Sequence, residues 1–151
     1  MSDPAQRVRE LLERVVDAVG VDAEVEVSED EQGISANLDG EDLGLLIGRH
    51  GQTIDAIQHL AYRVAYRGDD HRGRVTVDAA GYRSRRAALL QQDADDAAEE
   101  ALESGRPVAL DAMNAVERRV VHEYLRDRDD VETYSEGEEP DRHLVIAPAQ
   151  S

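Results

Sequence analysis

Two short stretches hold residues whose types and spacing suit the binding of an anion. The first is Gly48-Arg49-His50-Gly51, set between the apolar stub Leu45-Leu46-Ile47 and a run patterned as a helix from Gln52. Glycines let the backbone approach a ligand with no Cβ in the way. The following helix turns unpaired N–H groups and the positive end of its dipole toward the same place. Phosphate is the natural occupant, with Arg49 adding a charge-assisted contact and Gln52 or Thr53 capping the helix or donating to an oxygen. The second stretch is Arg118-x-x-x-His122 in the run AVERRVVHEYL. The four-residue spacing puts both side chains on one helical face, with Arg126 one further turn along and Arg119 beside them. Phosphate contact is the chemistry this face offers, against the plainer alternative of a solvated Arg and a His completing a local hydrogen-bond network.

The distribution of charge supports a polyanion at the first stretch. The chain of 151 residues has 34 acidic and 17 basic residues, all of the latter Arg, for a net charge of -17. Residues 1–43 contain 3 Arg against 13 acids and residues 87–151 contain 6 against 17, whereas residues 44–86 contain 8 Arg against 4 acids. The one net basic segment therefore carries the glycine-bracketed pair. Screening at physiological salt limits the charges that matter to those within about 8 Å. Arg83, Arg85 and Arg86 close this segment and are candidates to extend a basic track. Three arginines near a helix start oppose the helix dipole, which hints at an external anion.

These residues need elements to position them. Asp3 as N-cap and Pro4 as first helical residue precede Val8, Leu11, Leu12, Val15, Val16 and Val19 at helical spacing, with Gly20 as the stop. Ala23, Val25 and Val27 alternate with acids, and Ile34, Ala36 and Leu38 alternate with polar residues, predicting a hairpin turned by SEDEQG. A short helix over 42–47, a helix from Gln52 to about Arg67, a break at GDDHRG and a strand over 74–78 complete a first module. A long helix over 82–104 ends at Gly105. A short strand over 107–110, a helix capped by Asp111 and running to about Arg126, and strands over 131–135 and 142–146 follow. On the last helix, Met113, Val116, Val120 and Tyr124 are expected to form the apolar side, with Val121 and Leu125 as an edge close to Arg118. The fold class is thus α+β in two modules, 1–80 and 81–151.

Other chemistry finds no support. There is no Cys, which excludes disulfides and thiolate zinc sites. The P-loop pattern GxxxxGK[ST] and the dinucleotide pattern GxGxxG are absent, and His122-Glu123 lacks the second His of HExxH because Arg126 stands there. The acidic run DADDAAEE lacks the EF-hand glycine and reads as a solvated helix face. No catalytic residue, metal site or cofactor is expected, and the chain reads as a binding protein, not an enzyme. With 5 Tyr and no other aromatic residue, base stacking of the RRM kind is implausible. Binding is expected to rely on backbone clamping plus an apolar groove near Leu46, Ile47, Ile54 and Ile57. No signal-type h-region or membrane-length apolar stretch is present, so a soluble, cytoplasmic protein without membrane insertion is expected.

The order helix, strand, strand, helix, GxxG, helix, strand resembles a KH domain of the second topological type (α-β-β-α-α-β, three-stranded sheet), whose GxxG loop clamps backbone nucleotides. The stretch RRVVHEYL followed by SEGEEPDRHLVI resembles the small R-three-H domain (α-β-α-β-β), named for its Arg-x-x-x-His. Joined in this order, with LIGRHGQTIDAIQHL in the first, they are similar to the bacterial Jag family, also called KhpB or SpoIIIJ-associated proteins. The resemblance covers nearly the whole chain. It implies single-stranded RNA binding, with Gly48, Arg49, His50 and Gly51 matching the KH loop and Arg118 and His122 the second signature. It also implies a small KH-only partner or self-association, and a role as an RNA chaperone or regulator touching cell envelope, shape or division. Many members have an additional N-terminal domain that is not expected in this sequence, and KH loops often carry Lys where this one has Arg-His. Two alternatives accompany this reading: a protein-interaction adaptor pairing through its KH surface, and a single-stranded DNA binder.

Overall fold

The computed structural model describes residues 1–68 and 73–150, in two compact units, Met1–Arg83 and a second from Ser84 onward. In the first unit, α1 (Asp3–Val19) is followed by β1 (Ala23–Asp30), β2 (Gly33–Gly40), the one-turn α2 (Gly44–Ile47), α3 (Gln52–Ala65) and β3 (Arg74–Ala79). The N-cap of α1 is Ser2 and not Asp3. The Ser2 hydroxyl accepts from the Ala5 N–H and donates to Glu29 Oε2 at 2.6 Å, which a carboxylate at the cap does not do. Gly20 ends the helix in the left-handed region, as its position predicted.

The strands are ordered β1-β2-β3, with β1 antiparallel and β3 parallel to β2. The hairpin turn is tighter than the expected six residues. Asp30 Oδ1 accepts from both Gln32 N–H and Gly33 N–H, so the strands pair right up to Asp30 and Gly33. The alternation read from sequence holds, since Ile34, Ala36 and Leu38 face inward beside Val75, Val77 and Ala79. These residues pack against the α1 stripe Ala5, Val8, Leu12 and Val16 and against Ile54, Ile57 and Ala61 of α3. Of the expected break GDDHRG, Asp69 to Arg72 lie outside the described residues.

The second unit holds most of α4 (Tyr82–Ser104), whose first two residues belong to the first unit, then β4 (Val108–Ala109), α5 (Ala115–Leu125), β5 (Val131–Glu136) and β6 (His143–Pro148). Its sheet has the order β4-β6-β5, all antiparallel. Leu90, Ala94, Ala97 and Ala98 of α4 line the core with Val121, Leu125, Val131, Leu144 and Ile146. The run DADDAAEE is the outer part of this amphipathic helix, its alanines turned inward.

Two expectations about α5 give way. The chain after β4 stays extended, with Leu110 N–H bonded to Leu144 O and Met113 N–H to Arg142 O, so the helix starts later than Asp111. Asn114 is the cap, in a reciprocal capping box with Glu117. The apolar side is also different. Val121 and Leu125 are buried, whereas Val116 is 71% and Tyr124 40% exposed. Both stripes satisfy helical spacing, and the sheet receives the one that β5 and β6 can cover.

Candidate nucleic-acid interface

In the first unit the loop between α2 and α3 is held in a backbone form that its sequence alone makes possible. Gly48 has φ 74° and ψ 179°, His50 has φ 55° and ψ 25°, and Gly51 has φ 77°. The first of these lies in a region that is essentially glycine-only. A Cβ on Gly48 would stand 2.1 Å from Thr53 Oγ1, and one on Gly51 would stand 2.8 Å from the Tyr82 ring. The loop is therefore seated on Thr53 on one side and Tyr82 on the other. It delivers Arg49, exposed and with no ion-pair partner among the described residues, beside the start of α3, whose N-terminus has no side-chain cap. Unsatisfied N–H groups, a helix dipole and one uncompensated cation converge there, which is the physical requirement for an anion site.

Gln52 and Thr53 occupy the first turn of α3 and are exposed, and Ile47 is half-buried at the loop base. Ile54 does not line a groove. It is fully buried with Leu46, and Ile57 is 7% exposed, so the apolar groove expected from these residues is instead the domain core. Helical spacing reports which side chains share a face and not whether that face meets solvent or a sheet.

The basic track expected at residues 83–86 is largely engaged within the fold. Arg83 donates to Asp55 Oδ1 at 2.8 Å, Gln58 Oε1 at 3.0 Å and Val77 O at 3.0 Å, tying α3 to β3. Arg86 donates to Glu117 Oε2 at 2.7 Å, with both side chains largely buried. Arg85 is exposed on α4. Acidic partners 28 and 31 residues away, invisible to any local reading, absorb the charges of Arg83 and Arg86.

In the second unit, Arg118, Arg119 and His122 of α5 come together over an open groove floored by Thr133 and Ser135 of β5 and flanked by Arg142. Arg126, the C-cap of α5, is exposed and is not among the groove-lining residues. Arg118 is only 11% exposed and is doubly engaged, donating to Met113 O and to Glu139 Oε1 at 2.6 Å. Arg119 and His122 are exposed and have no hydrogen-bond or ion-pair partner among the described residues. Arg142, which donates to Gly137 O at 2.7 Å, escaped the sequence reading. Its signal was weak: an Arg standing one residue before the last strand, which begins at His143.

The fold and these two sites define a protein that couples a KH domain to an R-three-H domain. Residues 5–78 match the KH domain of KhpA and KhpB, and residues 88–148 match the R-three-H domain. The chain is 41% identical over 140 residues to the RNA-binding protein KhpB of Clostridium symbiosum, covering 91% of this chain and 63% of that one. It is 40% identical over 134 residues to the RNA-binding protein KhpB of Lactiplantibacillus plantarum, covering 88% of this chain and 41% of the relative. It is 33% identical over 147 residues to the RNA-binding protein KhpB of Bacillus subtilis, covering 96% of this chain and 71% of the relative. The chain belongs to the KhpB family, and it spans between 41% and 71% of the length of these relatives.

Proposed function

We propose that this chain binds single-stranded RNA and catalyses no reaction. The loop Gly48 to Gly51 grips the sugar-phosphate backbone, and the groove bearing Arg118, Arg119, His122 and Arg142 supplies a second contact that raises affinity by tethering. The observation that carries this reading is the loop backbone itself: two positive-φ glycines and a left-handed His50 present an unpartnered Arg49 at an uncapped helix start. The names of the KhpB relatives support RNA as the ligand. The same reading places the protein in the cytoplasm, pairs its KH unit with a small KH-only protein or a second copy, and gives it a post-transcriptional role that bears on the cell envelope.

The test is binding of a mixed-sequence single-stranded RNA at two salt concentrations by the native chain and by the Arg49→Asp/His50→Asp variant. A log-log salt slope of about -0.7 per phosphate contact is expected, with a large loss in the variant. Matched RNA and DNA strands separate the ligands through the 2'-hydroxyl. Native binding that ignores both salt and the loop substitutions would overturn the loop assignment and favour a protein-docking role.

A further inference from the structure

The arginine of the Arg-x-x-x-His pair already holds an anion. Its guanidinium donates to the Glu139 carboxylate at 2.6 Å, while a second nitrogen donates to the Met113 carbonyl. Glu139 sits in the loop joining β5 to β6, its side chain 59% exposed, and its one ion pair among the described residues is with Arg118. The Met113 contact orients Arg118 independently of Glu139, so the carboxylate can leave without releasing the arginine.

We propose that Glu139 is a specificity-determining residue of this groove, an internal competitor that a strand of several phosphates displaces from Arg118 and a single carboxylate does not. The inference rests on the RNA-binding reading. Exchanging one anion for another at Arg118 is close to neutral, so net affinity must come from the neighbours, Arg119, His122 and Arg142, acting on adjacent phosphates. A ligand that reaches Arg118 alone competes against a tethered carboxylate whose effective concentration is on the order of millimolar. A lone carboxylate, whether on a small molecule or on an isolated acidic side chain, is excluded by the same competition.

The experiment compares the native full chain with Glu139→Gln and Glu138→Gln, reading the Kd of a fluorescein-labelled ten-uridine RNA by anisotropy. The two variants change net charge equally, but the pair at 2.6 Å is made by Glu139 alone. Glu139→Gln is expected to tighten binding about two- to fivefold, the range of a partly exposed ion pair, and Glu138→Gln by less than half of that. The same ratio is expected in the Arg49→Asp/His50→Asp background, because the effect belongs to the second unit. Equal tightening by both variants would reduce the effect to net charge and overturn the inference. Weaker binding by Glu139→Gln would make the pair a structural clamp and also overturn it. Absence of RNA binding by every protein, native included, would sink the RNA reading together with the inference.

Discussion

Replacing Gly48 with Ala tests the geometry of the KH loop most directly. The substitution forces an L-residue to φ 74° and ψ 179°, a region that costs about 1–3 kcal/mol. It also places a methyl 2.1 Å from Thr53 Oγ1, 2.7 Å from Thr53 Cβ and 2.9 Å from the Thr53 backbone nitrogen. Overpacking of this kind adds about 1–3 kcal/mol. Gly20 is the natural control. Its φ is 83°, yet nothing lies within 4 Å of an added Cβ, so Gly20→Ala carries the left-handed penalty alone, about 1 kcal/mol. We expect Gly48→Ala to destabilise the first unit by about 3–5 kcal/mol, three or more times the control. At roughly 4–8 °C per kcal/mol for a domain of this size, the midpoint falls by at least ~12 °C. Urea unfolding followed by methyl NMR signals of Ile34 and Ile54 confines the measurement to this unit. Adding Thr53→Ala recovers little, because the Cβ and backbone nitrogen stay in place. A Gly48→Ala variant within about 0.5 kcal/mol of Gly20→Ala would refute the seating of the loop on Thr53.

Two further outcomes concern the second unit. Arg86→Ala strands the largely buried Glu117 carboxylate and should cost about 3 kcal/mol, and Glu117→Gln in the same chain should restore part of that loss in thermal unfolding. A variant of full stability but reduced RNA affinity would return Arg86 to the basic track. Tyr124 donates to Asp95 Oδ2 at 2.8 Å, and this hydrogen bond holds the phenol above its ordinary range. The sign follows from the favoured neutral phenol: the contribution to stability is present below the ordinary tyrosine pKa and is lost as pH rises through the raised one. Ultraviolet titration of the native chain should therefore show a late tyrosinate transition that moves down in Asp95→Asn. A transition that stays in place would discount the hydrogen bond.

Much of this protein was legible because its signals are local. Alternation in β1 and β2, the stripe of α1, the span of α4 and the glycines around Arg49 and His50 each depend on residues within a turn or a strand of one another, where steric and period rules act. The same holds for the Arg118 and His122 spacing. The cap of α5 was misplaced at Asp111, although Asn114 followed three residues later by Glu117 carries the local capping-box pattern. What tertiary structure decided was the fate of each face and each charge. It sent Ile54 and Ile57 into the core, turned Val121 inward and Val116 outward, and paired Arg83 with Asp55, Arg86 with Glu117 and Arg118 with Glu139. Burial and ion pairing are relations between segments that meet only on folding. Composition and spacing determine which side chains stand together, and the approach of distant carboxylates and sheets determines which of them remain open to a ligand.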